Sequence, residues 1–296
     1  MKLETNTTRA RFRAITDNAV TLLAVLATFL VIAPLVAIFV YLIYRGYSSL
    51  SLDFFTRIPK PVGEKGGGMA NAIVGSGILL ALASVIGVPI GIGGGIFLAE
   101  FGRGTKLANS IRFTADVLNG VPSIVMGVAA YALIVSPHVR YLPILGHFSA
   151  FSGGVALGIM MIPTVCRTTE EMLLMVPHAV REAALGLGVP NWRSVLSITV
   201  RTASPGIITG CMLAFARVAG ETAPLIFTAL GNSFWSTSLN EPIAALPLQI
   251  YVYAISPYDE WHKLAWAGAL VLIMLIVLAV SLVRYVTSRG VLKGAS

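Results

Sequence analysis

The sequence predicts an all-α membrane protein with six transmembrane helices, and three observations support this fold class. Hydrophobic residues make up 56% of the 296 residues and charged residues only 11%, whereas soluble domains carry about 25% charged residues. Six apolar runs come near or exceed the roughly 20 residues that a spanning helix needs. Lys and Arg lie mainly in the gaps between these runs, as expected for a protein oriented by cytoplasmic positive charge.

The apolar runs set the expected organisation of the chain. They lie near residues 19–44, 70–99, 113–135, 149–166, 204–228 and 264–286. The first is longer than the roughly 7–15 apolar residues of a signal peptide, so we expect it to remain as a span. Residues 1–18 then form a cytoplasmic N-terminal segment, and residues 19–296 form a single transmembrane domain.

The distribution of Lys and Arg predicts the orientation. With the N-terminus inside, the inner segments hold 14 of the 21 basic residues and the outer segments hold six, while Arg217 lies within a span. This bias places both termini and the long connection 167–203 in the cytoplasm. On the outer side, the apolar piece between Pro242 and Pro257 is too short to span, and we expect it to lie at the interface or to re-enter.

Several classes of function lack support in the sequence. The net charge of +8 does not form a basic stripe, so we expect no nucleic-acid partner. The histidines are scattered without metal-ligand spacing, and Cys166 and Cys211 are expected to be buried thiols. The run Gly91–Gly95 lacks the strand and the Lys-Ser/Thr of a phosphate loop, so we expect it to pack helices closely.

The inner connection predicts a short helix-turn-helix. The run Arg181–Leu185 strongly favours helix. Gly188 is suited to end that helix, and Pro190 is suited to begin another. From the residues alone, this element is either an amphipathic connector on lipid headgroups or a docking element for a partner.

The same connection carries a family resemblance. Glu182-Ala183-Ala184, followed after three residues by Gly188, resembles the EAA loop of binding-protein-dependent ABC permeases. The resemblance implies a type I importer permease (MetI-like) architecture and a coupling helix that docks on an ATP-binding subunit. The residues it assigns to that loop are Arg181, Glu182, Ala183, Ala184 and Gly188. The rear of the loop, Ile198–Arg201, keeps the family's isoleucine but lacks its leucine and its proline.

Other segments are similar to the phosphate permeases of the high-affinity uptake system, and among them to the PstA-type subunit. These segments are Gly66–Ala72, Ile96–Gly102, Arg167–Glu170, Ala216–Thr228 and Phe234–Thr237. The resemblance implies a non-catalytic permease subunit of an ATP-driven phosphate importer. It implies a location in the inner (plasma) membrane of a bacterium or archaeon.

The resemblance also implies the partners. These are a second permease of the PstC type, a dimer of ATP-binding subunits of the PstB type and a phosphate-binding protein of the PstS type, besides membrane lipid and inorganic phosphate. The chain has no P-loop Gly-Lys-Ser/Thr. We therefore expect it to bind no cofactor or metal itself, with ATP and Mg²⁺ on the ATPase.

Two charged pairs lie in or beside spans. Arg217 at the centre of a span costs about 2.5–3.5 kcal/mol on insertion scales, and Glu221, four residues on, would share its helical face. The two form either a structural pair or, with Thr222, a substrate path. In the path, Arg217 would bind the anion through its planar fork, and Glu221 would hold Arg217 while the path is empty.

Arg167 and Glu170 form the second pair, at the predicted end of the fourth span. They either anchor a helix end at the headgroups or, as the resemblance suggests, relay motion from the coupling loop to the path.

Three alternative functions remain open. The chain could import another oxyanion, such as sulfate or molybdate. It could be an ion-coupled carrier, although such carriers use intramembrane carboxylates and broken helices, for which only Glu221 and Asp116 are candidates. It could also be a membrane sensor or scaffold that moves no substrate.

Overall fold

A computed structural model describes residues 7–61, 64, 66–139 and 146–293. Residues 1–6 and 294–296, at the two ends assigned to the cytoplasm, lie outside the described residues. Lys65 and Arg140, which the count of basic residues assigned to the outer side of the membrane, also lie outside the described residues.

The described residues form helices without a strand. Their bounds are α1 Thr7–Tyr47, α2 Leu52–Thr56, α3 Ala70–Ile96, α4 Lys106–Gly120, α5 Ser123–Ala130, α6 Ala150–Leu174, α7 His178–Gly186, α8 Asn191–Ser194, α9 Val200–Ala219, α10 Ala223–Thr228, α11 Leu246–Ala254 and α12 Asp259–Lys293. π-Helical turns extend α3 through Phe97–Phe101, extend α5 through Tyr131–Val135, and join α8 to α9 through Val195–Thr199.

Five helical stretches are long and apolar enough to cross a membrane, and a bent pair makes the sixth. The five are Phe12–Tyr47, Ala70–Phe101, Ala150–Leu174, Asn191–Ala219 and Asp259–Thr287. The all-α membrane fold is therefore confirmed. The third predicted run, 113–135, is not one straight helix, because α4 and α5 meet at an angle of 109°. Pro122 explains the bend, since the residue before a proline is driven out of the helical conformation, and Val121 is extended with ψ 132°.

The fourth and fifth runs also end at different places than predicted. α6 continues to Leu174, two turns beyond residue 166. The connection to the next long helix is correspondingly shorter than 167–203, because Asn191 already begins the stretch that leads into α9. At its far end, α9 ends at Ala219, and Gly220 to Thr222 separate it from α10.

Close packing of α3 on α6 forms the centre of the bundle. Gly87, Gly91 and Gly95 recur every four residues and therefore lie on one face of α3. A Cβ atom on Gly91 would lie 2.6 Å from the Val165 Cβ atom, and one on Gly95 would lie 2.5 Å from the Thr169 Cβ atom. Glycine at these positions lets the two backbones approach, as small residues do in membrane helices. The predicted packing role of Gly91–Gly95 is confirmed except at Gly93, which faces open space.

α9 packs antiparallel on another side of α6. Gly206 of α9 lies against Met172, and Gly210 lies against Thr168. α6 is thus held by glycine contacts on two sides. Cys166 and Cys211 are free and buried within this core, as predicted.

The α3–α6 contact gives the first testable prediction. Leucine at Gly91 would overlap the Val165 side chain and the Ile162 carbonyl, and overpacking of this kind costs about 1–3 kcal/mol. We expect Gly91→Leu to lower the thermal unfolding temperature of the detergent-solubilised protein. Gly93→Leu is the matched control, because no atom lies within 4 Å of its added Cβ. Equal effects of the two substitutions would contradict this account of the contact.

Candidate functional site

The predicted helix-turn-helix is present at one end of the bundle. α7 ends at Gly186, and Gly188 has φ +76°, a left-handed conformation that glycine adopts without strain. Its N–H donates to the Leu185 carbonyl oxygen at 2.9 Å. Pro190 then occupies the N-cap position of α8. The predicted helix end at Gly188 and the new start at Pro190 are both confirmed.

The outer side of this element is uncovered. Ala184 is buried against the bundle, whereas Glu182 and Ala183 are exposed. Leu187, just after α7, is 83% exposed, and Trp192 in α8 is 60% exposed. Small, acidic and large apolar side chains are therefore accessible here, and we call Glu182, Ala183, Leu187 and Trp192 together the α7 surface.

Arg181 points the other way, into the bundle. Its Nε and Nη2 atoms donate to Glu100 Oε1 at 3.1 and 2.7 Å. Its Nη1 donates to the Val176 carbonyl oxygen at 2.6 Å, and Nη2 donates to that of Leu173 at 2.7 Å. The side chains of Arg181 and Glu100 are only 12% and 7% exposed. Arg181 therefore joins α7 to the ends of α3 and α6 and contributes little to the exposed α7 surface.

Arg167 and Glu170 form an ion pair, but Glu170 is shared. Glu170 Oε2 accepts from Arg167 Nη1 at 2.9 Å, and Oε1 accepts from Arg112 Nε at 2.6 Å. The Glu170 side chain is 4% exposed. The pair lies within α6 and does not end it, because the interaction satisfies both charges inside the helix bundle. Glu170 is therefore a buried carboxylate held between two guanidiniums at this end of the bundle.

Two further polar contacts join α4 to α6. Arg167 Nε donates to Asp116 Oδ1 at 3.0 Å, and Thr164 Oγ1 donates to Asn119 Oδ1 at 3.1 Å. The contacts run along both helices, because Arg112, Asp116 and Asn119 recur at helical spacing on α4. Sequence reasoning did not single out Arg112 or Asn119 as partners of α6, and a polar stripe at this spacing in two facing helices is the signal that could have found them.

Arg217 lies in the last turn of α9 and is exposed. Extending the antiparallel register of α9 on α6 by two turns from Gly210 places Arg217 opposite about Met161, near the middle of α6. Among the described residues Arg217 forms no hydrogen bond or ion pair. Leu213 and Thr209, one and two turns before it, are also exposed. α9 thus carries an uncompensated cation near its C-terminal end, opposite the middle of α6.

The predicted pairing of Arg217 with Glu221 is wrong for this structure. The prediction assumed a continuous helix, whereas α9 ends at Ala219 and Glu221 lies in the break before α10. Its N–H donates to the Val218 carbonyl oxygen at 3.1 Å, and the described ion pairs include none between Glu221 and Arg217. Glu221 and Thr222 are partly exposed in the break, next to the turn that carries Arg217.

The family model described as "Binding-protein-dependent transport system inner membrane component" matches residues 91–290. The matched region includes α7, Arg217 and the ion-paired group Arg112, Asp116, Arg167 and Glu170, which we call the Glu170 cluster.

Similar proteins of known name cover most of the chain. The phosphate transport system permease protein PstA of Yersinia pestis is 47% identical over 245 residues, which cover 83% of this chain and 81% of that protein. PstA of Xylella fastidiosa strain 9a5c is 50% identical over 237 residues, 80% of each chain. Among solved structures, the inward-facing MetNI methionine ABC transporter matches with a TM-score of 0.54 at 19% identity, over 75% of this chain and 95% of that chain. This last likeness supports the fold alone.

The shared position of Glu170 gives the second prediction. Glu170→Gln removes the charge that compensates both Arg112 and Arg167, and breaking a buried ion pair costs about 3–5 kcal/mol. We expect a lower thermal unfolding temperature of the solubilised protein. Glu171→Gln is the control, because Glu171 is exposed and its carboxylate accepts no hydrogen bond in the described structure.

Exchanging the two charges should not restore stability. In the double variant Arg167→Glu and Glu170→Arg, the new glutamate would face Asp116 and the new arginine would face Arg112. Recovery of wild-type stability by the double variant would show that the two residues act as an isolated pair. It would contradict the claim that they also depend on Asp116 and Arg112.

Proposed function

The chain belongs to the binding-protein-dependent transport system inner membrane component family, and we propose that it is a permease subunit of an ATP-driven phosphate importer. Its named relatives are phosphate transport permeases, and the match with each of them covers most of both chains. The observation in the chain itself that carries the proposal is Arg217, an exposed cation in the last turn of α9, opposite the middle of the spanning helix α6. The chain forms half of a translocation path, and a second permease subunit forms the other half.

Arg217 fits the role of a phosphate-binding group. A cation in hydrocarbon would be costly, so the uncovered face of α9 borders water or another subunit and not lipid. The guanidinium remains protonated and donates paired hydrogen bonds to two oxygens of an oxyanion. Glu221 and Thr222 line the break beside it. The break leaves backbone outside a regular helix, which membrane proteins tolerate where it faces protein or a water-filled cavity.

The α7 surface is the docking site for the ATPase. The chain lacks a P-loop, so hydrolysis takes place on a partner that also holds ATP and Mg²⁺. In the orientation that the distribution of Lys and Arg predicts, α7 lies on the same side of the membrane as this partner. Closure of the ATP-binding subunits moves α7 and switches the path from inward-facing to outward-facing. A phosphate-binding protein on the other side then releases its anion toward Arg217.

The alternatives have less support. No relative cited above is a sulfate or molybdate permease. An ion-coupled carrier would need titrating carboxylates in the path, and of the two candidates Asp116 is engaged with Arg167, which leaves Glu221 alone among the described residues.

The role of Arg217 gives the third prediction. Arg217→Gln removes a charge-assisted interaction of about 1.5–3 kcal/mol with the anion, which corresponds to a loss of phosphate uptake of about tenfold or more. We expect the variant complex to assemble and to hydrolyse ATP at its basal rate. Uptake of radiolabelled phosphate by cells or proteoliposomes measures the effect.

Arg201→Gln is the matched control for this experiment. It removes the same charge from the same helix at its α7 end, where Arg201 is exposed and its side chain forms no hydrogen bond or ion pair among the described residues. The proposal predicts near-normal uptake by this control. Normal uptake by Arg217→Gln would contradict a phosphate-binding role for Arg217.

The docking surface gives the fourth prediction. Leu187→Glu places a charge on an 83% exposed leucine of the α7 surface. Burial of a leucine contributes about 1.5–3 kcal/mol, so the affinity for the ATP-binding subunit should fall about tenfold or more. Titration of the purified permease complex with the ATPase measures it. Leu52→Glu, which changes an 84% exposed leucine of α2 in the connection at the other end of the bundle, should leave the affinity unchanged, and equal losses would contradict docking at α7.

A further inference from the structure

We propose that Glu100 is a positioning residue that holds the coupling helix α7 in a fixed orientation on the membrane helices, so that motion of α7 reaches the path. The proposal rests on the proposed function. It concerns a residue outside the α7 surface, in the segment Ile96–Gly102.

The contacts of Arg181 carry the first step. Four donor contacts from one guanidinium reach Glu100 and two carbonyl oxygens at the end of α6, at 2.6 to 3.1 Å. Among the described residues, Arg181 is the only α7 side chain that forms a hydrogen bond or an ion pair. α7 has nine residues, and an isolated helix this short is not stable in water. Its orientation therefore depends on Arg181, on the buried Ala184 and on Val180, which packs against the hydrophobic core of the bundle.

Glu100 supplies the part of this anchor that a neutral group cannot replace. Both of its hydrogen bonds with Arg181 use Oε1, and the two side chains are nearly buried. A buried ion pair contributes little net stability relative to apolar packing, but loss of one partner leaves the other charge without compensation. The pair is thus better suited to fixing one geometry than to stabilising the fold.

The position of Glu100 in the chain explains why α7 needs this geometry. Glu100 lies in the π-helical turn that ends α3, and α3 is packed on α6 through Gly87, Gly91 and Gly95. Arg181 therefore fastens α7 to both members of the most closely packed helix pair at once. With Glu100 in place, α3, α6 and α7 move as one body. Without it, α7 retains the carbonyl contacts of Arg181 and the apolar contacts of Val180 and Ala184, which fix its orientation less closely.

The first test compares ATP hydrolysis with transport in the complete complex. The readouts are basal ATPase rate, ATPase rate with phosphate-loaded binding protein, and phosphate taken up per ATP hydrolysed. For Glu100→Gln we expect an unchanged basal rate, and a loss of about fivefold or more in stimulation and in uptake per ATP, the lower end of ordinary coupling effects. Glu100→Asp, which keeps the charge on a shorter side chain, should be intermediate.

Glu171→Gln is the matched control, because it removes a carboxylate charge near the same end of the bundle without removing a hydrogen bond. It should keep wild-type stimulation and uptake per ATP. Wild-type coupling by Glu100→Gln would overturn the proposal. A uniform loss of basal and stimulated rates, in equal proportion, would also overturn it, because it would indicate a merely structural role.

A second measurement keeps the proposal testable if Glu100→Gln assembles poorly. Spin labels at Ala183→Cys on α7 and at Lys106→Cys at the start of α4 report the orientation of α7 in the solubilised permease. We expect Glu100→Gln to broaden the distribution of distances between the labels, and Glu171→Gln to leave it unchanged. Identical distributions in all three proteins would overturn the proposal. If the wild-type complex transports no phosphate, the proposed function fails, while the label distances still decide whether Glu100 holds α7.

Discussion

The close contact between α3 and α6 is the constraint on which the other features of this molecule depend. In a bilayer, apolar helices gain little from the hydrophobic effect when they associate, so packing and hydrogen bonds must hold them together. Gly87, Gly91 and Gly95 provide a face without side chains, against which α6 lies directly. α6 in turn holds the Glu170 cluster, leads into α7, and supports α9 through Gly206 and Gly210. The position of Arg217 therefore follows from two successive glycine-mediated contacts.

The charged residues singled out above, Arg167 with Glu170 and Arg217, differ in how they are compensated. Glu170 and Arg167 are saturated by neighbours on α4 and α6, at 2.6 to 3.0 Å. Arg217 forms no such interaction in the part of the chain that the structure describes. One set of charges is thus fully compensated, whereas Arg217 is exposed opposite the middle of α6. This difference indicates that Arg217 has a role other than ion pairing within the bundle. Binding of an anion that comes and goes would account for it.

Local chemistry made some features predictable and long-range contacts decided the rest. The left-handed turn at Gly188 after α7 and the cap of α8 at Pro190 follow from the conformations of single residues, and the sequence shows both. The partnership of Glu100 with Arg181 joins residues 81 positions apart, and no pattern near either residue indicates it. The expected pairing of Arg217 with Glu221 failed because helical spacing was applied across the end of α9 at Gly220. The bend between α4 and α5 could have been predicted from Pro122, whereas hydropathy alone does not indicate it.

The central claim is that this chain forms part of a phosphate path driven by a separate ATPase. Its most direct test is uptake of radiolabelled phosphate into proteoliposomes that contain both permease subunits, with the ATPase and ATP on the lumenal side and the phosphate-loaded binding protein outside. The account predicts uptake that requires both ATP and the ATPase and that excess sulfate does not inhibit. Uptake that persists without the ATPase, or that sulfate abolishes, would contradict it.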